Sequence, residues 1–128
     1  MLEPLGVGID VEDRDALDHL PDAVIRRAAA RWLDAAEHAW WLVQPSARES
    51  LIVALSCKEA AYKAWNGAGA STEVRLALHG TLEQGRGSGT DRSVELQVEW
   101  QRRGGRVVAV AIALPPPAGR GPQRDPRS

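Results

Sequence analysis

The sequence predicts an α+β fold: one antiparallel sheet drawn from both ends of the chain, with central helices packed against it. Three observations point there. Apolar residues alternate with a period of two from Leu5 to Val11, follow a helical period through the middle of the chain, and alternate again from Val74 onward.

In the first strand, Leu5, Val7, Ile9 and Val11 share one side, and Gly6, Gly8, Asp10 and Glu12 share the other. One side is apolar; the other is stripped by two glycines and then carries two carboxylates. After a charged turn at Asp13, Arg14 and Asp15, Pro21-Asp22 opens a helix with Ile25, Ala28, Ala29 and Trp32 at helical spacing and Arg26, Arg27 and Arg31 outward. Asp34 begins a second, short helix. Pro45-Ser46 introduces a third, from about Ala47 to Trp65, which Asn66-Gly67 ends. The period then changes. Val74, Leu76 and Leu78 alternate with polar neighbours, as do Val94, Leu96, Val98 and Trp100. Gly104-Gly105 predicts a hairpin turn into Arg106–Leu114, apolar enough for the middle of a sheet. Gln84–Arg92, glycine-rich and polar, predicts a mobile loop. Residues 1–114 form one domain in this reading, and Pro115–Ser128, rich in Pro, Gly and Arg, a disordered tail.

Composition narrows the function classes. The 128 residues are 44% hydrophobic, enough for one packed core, and the formal net charge of −1 asks for neither nucleic acid nor an anionic membrane. Cys57 is the sole cysteine, which excludes an intrachain disulfide and a cysteine-based zinc cluster. No signal peptide opens the chain and no apolar run is long enough to span a bilayer, so the expectation is a cytoplasmic protein.

Two places carry chemistry. Asp10 and Glu12, two apart on a strand, project from one face and repel unless a cation or basic group lies between them. A hard divalent ion answers that, and magnesium needs only one or two carboxylates beside phosphate oxygens; a solvated strand end with Arg14 nearby answers it too. The third helix is apolar on nearly every side, with charge between Leu51 and Trp65 only at Lys58, Glu59 and Lys63. Glu59 falls on the stripe between Ile52 and Leu55, where a carboxylate is costly without a partner. That partner is Lys63 one turn on, or a ligand.

Gly8-Ile9-Asp10-Val11-Glu12 and Ser56-Cys57-Lys58-Glu59-Ala60-Ala61-Tyr62-Lys63 together resemble the two signature motifs of the 4′-phosphopantetheinyl transferases, a strand reading G-I-D-x-E and a helix reading W-S/T-x-K-E-A-x-x-K. Residue types, order, separation and predicted element all agree. The resemblance implies a magnesium-dependent enzyme that moves the 4′-phosphopantetheine arm of coenzyme A onto a serine of an acyl or peptidyl carrier protein. It implies magnesium ligands at Asp10, Glu12 and Glu59, coenzyme A phosphate contacts at Lys58 and Lys63, and catalytic roles for Lys63 and for Glu37. Glu37 matches a glutamate proposed to help deprotonate the acceptor serine, although Asp34 and Glu37 also have the spacing of a capping box.

The chain departs from the pattern twice. Leu55 stands where the family has Trp, and Gln101–Leu114 lacks the Ser-His motif of the short holo-acyl-carrier-protein synthase type. The Glu12 and Lys58 pattern resembles the second lobe of the larger, two-lobed type. A homo-oligomer or a separate partner lobe is therefore expected to complete the cleft. The alternative is a non-catalytic relative that binds carrier proteins or completes another transferase subunit.

Overall fold

Capping and turn chemistry set the element boundaries in the computed structural model, which describes residues 3–67, 74–90 and 94–115. The first strand, β1, is Gly6–Asp13. Helix α1 (Asp22–Trp32) starts after Pro21, whose fixed φ suits a helix entrance. Helix α2 (Ala35–Leu42) is capped by Asp34 and Glu37, whose side chains each accept from the other's backbone N–H at 3.0 Å. Helix α3 (Ala47–Gly67) is the long central element. Its first turn is pinned by Glu49, which pairs with Arg14 at 3.3 Å and with Arg102.

Four strands follow: β2 (Ala77–Gly80), β3 (Gln84–Thr90), β4 (Glu95–Arg103) and β5 (Arg106–Leu114). They join β1 in one sheet of order β1-β5-β4-β3-β2, with every neighbouring pair antiparallel. The fold is therefore α+β, as expected. Gly104, at φ +61°, makes the two-residue turn between β4 and β5, and β5 lies inside the sheet. Among the described residues no helix is long and apolar enough to cross a membrane.

The core lies between α3 and one face of the sheet. Leu51, Val53, Cys57, Ala60 and Ala64 of α3 meet Leu96, Val98 and Trp100 of β4 and Val107, Ala109 and Ala111 of β5. Trp40 packs edge-on to Trp100, with ring centroids 5.6 Å apart, and donates its indole N–H to the Gly80 carbonyl at 3.0 Å.

Two strand expectations are corrected. Gln84–Thr90 is no loop: it is β3, between β2 and β4. Its alternate glycines are what the core requires. A Cβ at Gly85 would overlap the Trp100 ring, and one at Gly87 would lie 2.8 Å from a Leu78 methyl. The strand is glycine-rich because large side chains of β2 and β4 lie across it. The Val74–Leu78 alternation yields a ladder only from Ala77. Val74 O and Leu76 N–H bond instead to the side chains of Lys58 and Glu37, each at 2.8 Å. The expected tail falls on residues 116–128, outside the described residues.

Among the described residues no helix lies over the outer face of the sheet. Val7, Ile9 and Val11 of β1 are exposed, opposite Ile112, Val110 and Val108 of β5, and β1 is an edge strand.

Candidate functional site

Gly8 sets the first distance of the site. The glycine and carboxylate side of β1 faces inward, and α3 runs directly over it. A Cβ at Gly8 would collide with the Ala60 carbonyl and lie 2.7 Å from Ala64 N and 2.8 Å from Lys63 Cβ. Only a bare backbone admits the helix so closely. Asp10, two residues on and on the same face, is thereby carried against α3 and is 8% exposed.

Lys63 reaches back to this point. Its ammonium donates to Ile9 O at 3.0 Å and to Asp10 Oδ1 at 3.3 Å. Of the two partners open to Glu59, Lys63 is taken up by an Asp10–Lys63 pair instead, and Glu59 is exposed, not buried. The reason is geometric: the stripe holding Ile52, Leu55 and Glu59 borders an open cleft, so its carboxylate stays in water. Among the described residues Glu59 has no ion-pair partner.

That cleft, about 560 Å³, is walled by Asp10 and Glu12 from β1 and by Ser56, Lys58 and Glu59 from α3, with Leu17, Trp32, Leu55 and Tyr62 as apolar rim. Partial burial first, and then the Asp10 carboxylate beside it, raise the Glu12 pKa above its ordinary 4.5. Three carboxylates line it, and the charge of Asp10 disfavours that of Glu12. Such an all-oxygen set suits a hard divalent cation, for which Asp10, Glu12 and Glu59 are the available ligands. As they stand, no three acidic, His or Cys side chains among the described residues are gathered closely enough to enclose an ion.

Glu37 is elsewhere. It is 0% exposed and lines no part of the cleft. Its Oε1 accepts from Asp34 N–H at 3.0 Å and from the Lys58 ammonium at 2.8 Å, and its Oε2 accepts from Leu76 N–H at 2.8 Å. The carboxylate expected to act as a base thus faces Lys58 and the Leu76 N–H and not the cleft, where a docked hydroxyl would lie. Lys58, in contrast, is at the cleft with its side chain 19% exposed. Lys63, 46% exposed, stands beside Asp10 and is not among the residues that wall the cleft. Cys57 is an inert core thiol whose pKa is pushed up, by burial first and then by Glu37 and Asp10.

Sequence reasoning missed Ser56 as a site residue. Its hydroxyl is buried at the cleft wall with no hydrogen-bond partner among the described residues, a polar group left for a ligand. The signal was its place one turn before Lys58-Glu59-Ala60 on the cleft side of α3. Trp32 and Tyr62 were missed because exposed aromatics are legible as a rim only once α1 and α3 are placed together.

The fold is shared with solved structures. The crystal structure of holo-acyl-carrier-protein synthase from Neisseria meningitidis superposes with a TM-score of 0.64 over 87% of this chain and 98% of that one, at 16% identity. The enzyme of the same name from Thermotoga maritima superposes with a TM-score of 0.56, over 87% of this chain and 64% of that one, at 17% identity. No curated protein sequence matches the chain. The model of the 4′-phosphopantetheinyl transferase superfamily matches residues 6–113, nearly the whole described fold and both site motifs, and the chain belongs to that superfamily.

Proposed function

We propose that the protein transfers 4′-phosphopantetheine from coenzyme A to a serine of an acyl or peptidyl carrier protein in the cytoplasm, with magnesium, releasing 3′,5′-ADP. One observation carries this reading: Asp10, Glu12 and Glu59, on two elements brought together by Gly8, meet Lys58 at one cleft. A magnesium ion bound by those carboxylates would supply charge neutralisation at the coenzyme A pyrophosphate. The chain's own residues do the rest. Lys58 presents an ammonium to the leaving phosphates, Lys63 holds Asp10 in place from the side, and Trp32, Tyr62 and Leu55 exclude water from one wall. The serine oxygen bonds to phosphorus as the bond to 3′,5′-ADP breaks, and the serine gives up its proton to water in the open cleft.

The outer sheet face supports a homo-oligomer in this reading. Val7, Ile9 and Val11 of β1 and Val110 of β5 form an exposed apolar surface, flanked by half-buried Val108 and Ile112, which a second copy would cover.

The test is transfer itself. Purified protein, coenzyme A, magnesium and a panel of apo-carrier proteins are combined, and the carriers weighed for the phosphopantetheine increment. Glu59→Gln and Asp10→Asn should each lower transfer at least about a hundredfold. Because Glu59 is exposed, its variant should keep the wild-type melting temperature. Excess magnesium should restore part of the loss. Carriers bound but never modified would favour the non-catalytic reading, which the absence of a Ser-His motif in Gln101–Leu114 supports.

A further inference from the structure

The chain holds fourteen arginines but two lysines, Lys58 and Lys63, and both lie on α3. Arginine serves everywhere else, so these two positions ask for something a guanidinium cannot give. At Lys58 the geometry shows what. Its ammonium sits between Glu37 Oε1 on α2 and Val74 O on the segment leading to β2, 2.8 Å from each. A compact tetrahedral ammonium satisfies both acceptors and keeps a third N–H for the cleft; a flat guanidinium has no such arrangement. Glu37 completes the cluster by accepting from Leu76 N–H, two residues past Val74, and from the backbone that caps its own helix.

We propose that Glu37 is a positioning residue: it holds the Lys58 ammonium at the cleft wall and, through Val74 and Leu76, ties the approach to β2 to the same point. Removing Lys58 would strand the buried Glu37 charge, and removing Glu37 would release an ammonium that is 19% exposed at the cleft. The order of that segment and the placement of the cleft cation are therefore one event. The Glu37–Lys58 cluster stands on its own geometry. Naming coenzyme A as the anion that Lys58 meets rests on the proposed function.

With two lysines in the chain, acetylation by a small acylating reagent followed by peptide mass spectrometry reports each ammonium separately. In the wild type, Lys58 should react at least about fivefold more slowly than Lys63, because it is less exposed and its two bonds, one of them to a fully buried carboxylate, are 2.8 Å long against 3.0 and 3.3 Å at Lys63. In Glu37→Gln that protection should be lost. Coenzyme A binding measured without any carrier protein should weaken about tenfold, the cost of misplacing one charged contact, and the rise in KM should exceed any fall in kcat. Where Glu37→Gln does not fold, Glu37→Asp, which keeps the charge but retracts it by one methylene, should show partial loss of protection. Equal reactivity of the two lysines in the wild type overturns the proposal. So does a Glu37→Gln that binds coenzyme A normally with Lys58 still protected yet loses kcat alone, the signature of a base. A wild type that binds no coenzyme A would sink the proposed function, while the lysine ratio would still decide the role of Glu37.

Discussion

Gly8→Ala should damage this protein in two separable ways. The added methyl has no room: it would lie 2.7 Å from Ala64 N, against about 3.4 Å for ordinary contact, and closer still to Ala60 O, so α3 must retreat by at least roughly 0.7 Å. The atoms it meets are helix backbone, which cannot turn aside as a side-chain tip could. Overpacking of this kind costs about 1–3 kcal/mol, offset by about 0.5 kcal/mol from the stiffer unfolded chain. The net loss of about 0.5–2.5 kcal/mol should lower the midpoint of thermal unfolding by about 2–12 °C in a domain of this size. The second effect is on the site. Asp10 rides on β1 and Glu59 on α3, so the same retreat widens the gap between them. A misplacement near 1 Å is worth up to about a hundredfold in rate. Urea denaturation gives the first quantity, and phosphopantetheine transfer well below the unfolding temperature gives the second. Gly105→Ala is the control, since a Cβ there meets nothing within 4 Å. A Gly8→Ala protein within about 0.5 kcal/mol of wild type would refute the argument that α3 rests on a bare strand.

Glu12 gives a pH signature. Its pKa is raised in the folded state, so its ionised form weakens the fold once the pH exceeds the ordinary 4.5, and below that value it contributes nothing. Glu12→Gln should therefore melt higher than wild type at pH 7 and equal to it near pH 4, and magnesium should narrow the gap at pH 7. Cys57, fully buried with its pKa pushed up, should resist thiol reagents in the native protein and react at once in denaturant; native-state reaction would mean that α3 opens readily. Ile9→Lys, on the exposed apolar face of β1, should shift light-scattering mass toward the monomer without lowering the melting temperature of the isolated chain. A monomeric wild type that still transfers phosphopantetheine would remove the need for a covered face.

Most elements were legible because their local signals agree with their tertiary setting. The β1 alternation, the Asp34/Glu37 cap and the Gly104-Gly105 turn each specify structure within a few residues. What was not legible depended on distant backbone. Nothing local in Gly85, Gly87 and Gly89 reveals that Trp100, Leu78 and Leu76 will lie over them in turn, so a strand looks like a loop. The motif residues Asp10, Glu12, Lys58 and Glu59 were identifiable by resemblance to the two family motifs, and they do share a cleft. Their partners were not. Lys63 belongs to Asp10 because Gly8 lets α3 sit low on β1, and Glu37 belongs to Lys58 because α2 crosses behind α3. Both pairings follow from the approach of two elements far apart in sequence.

The order of the strands has a consequence for how the protein comes into being on the ribosome. β1 is made first, yet its one sheet neighbour is β5, so Asp13 waits for Arg106. At roughly 5–20 residues per second, that is about 5–20 s during which the Val7-Ile9-Val11 segment has no ladder partner. Through that interval Asp10 and Glu12 ride on a strand that nothing yet holds in register. A nascent chain should thus remain unable to consume coenzyme A until β5 slides between β1 and β4, and slow synthesis of this interval should favour capture by chaperones that recognise short apolar strands.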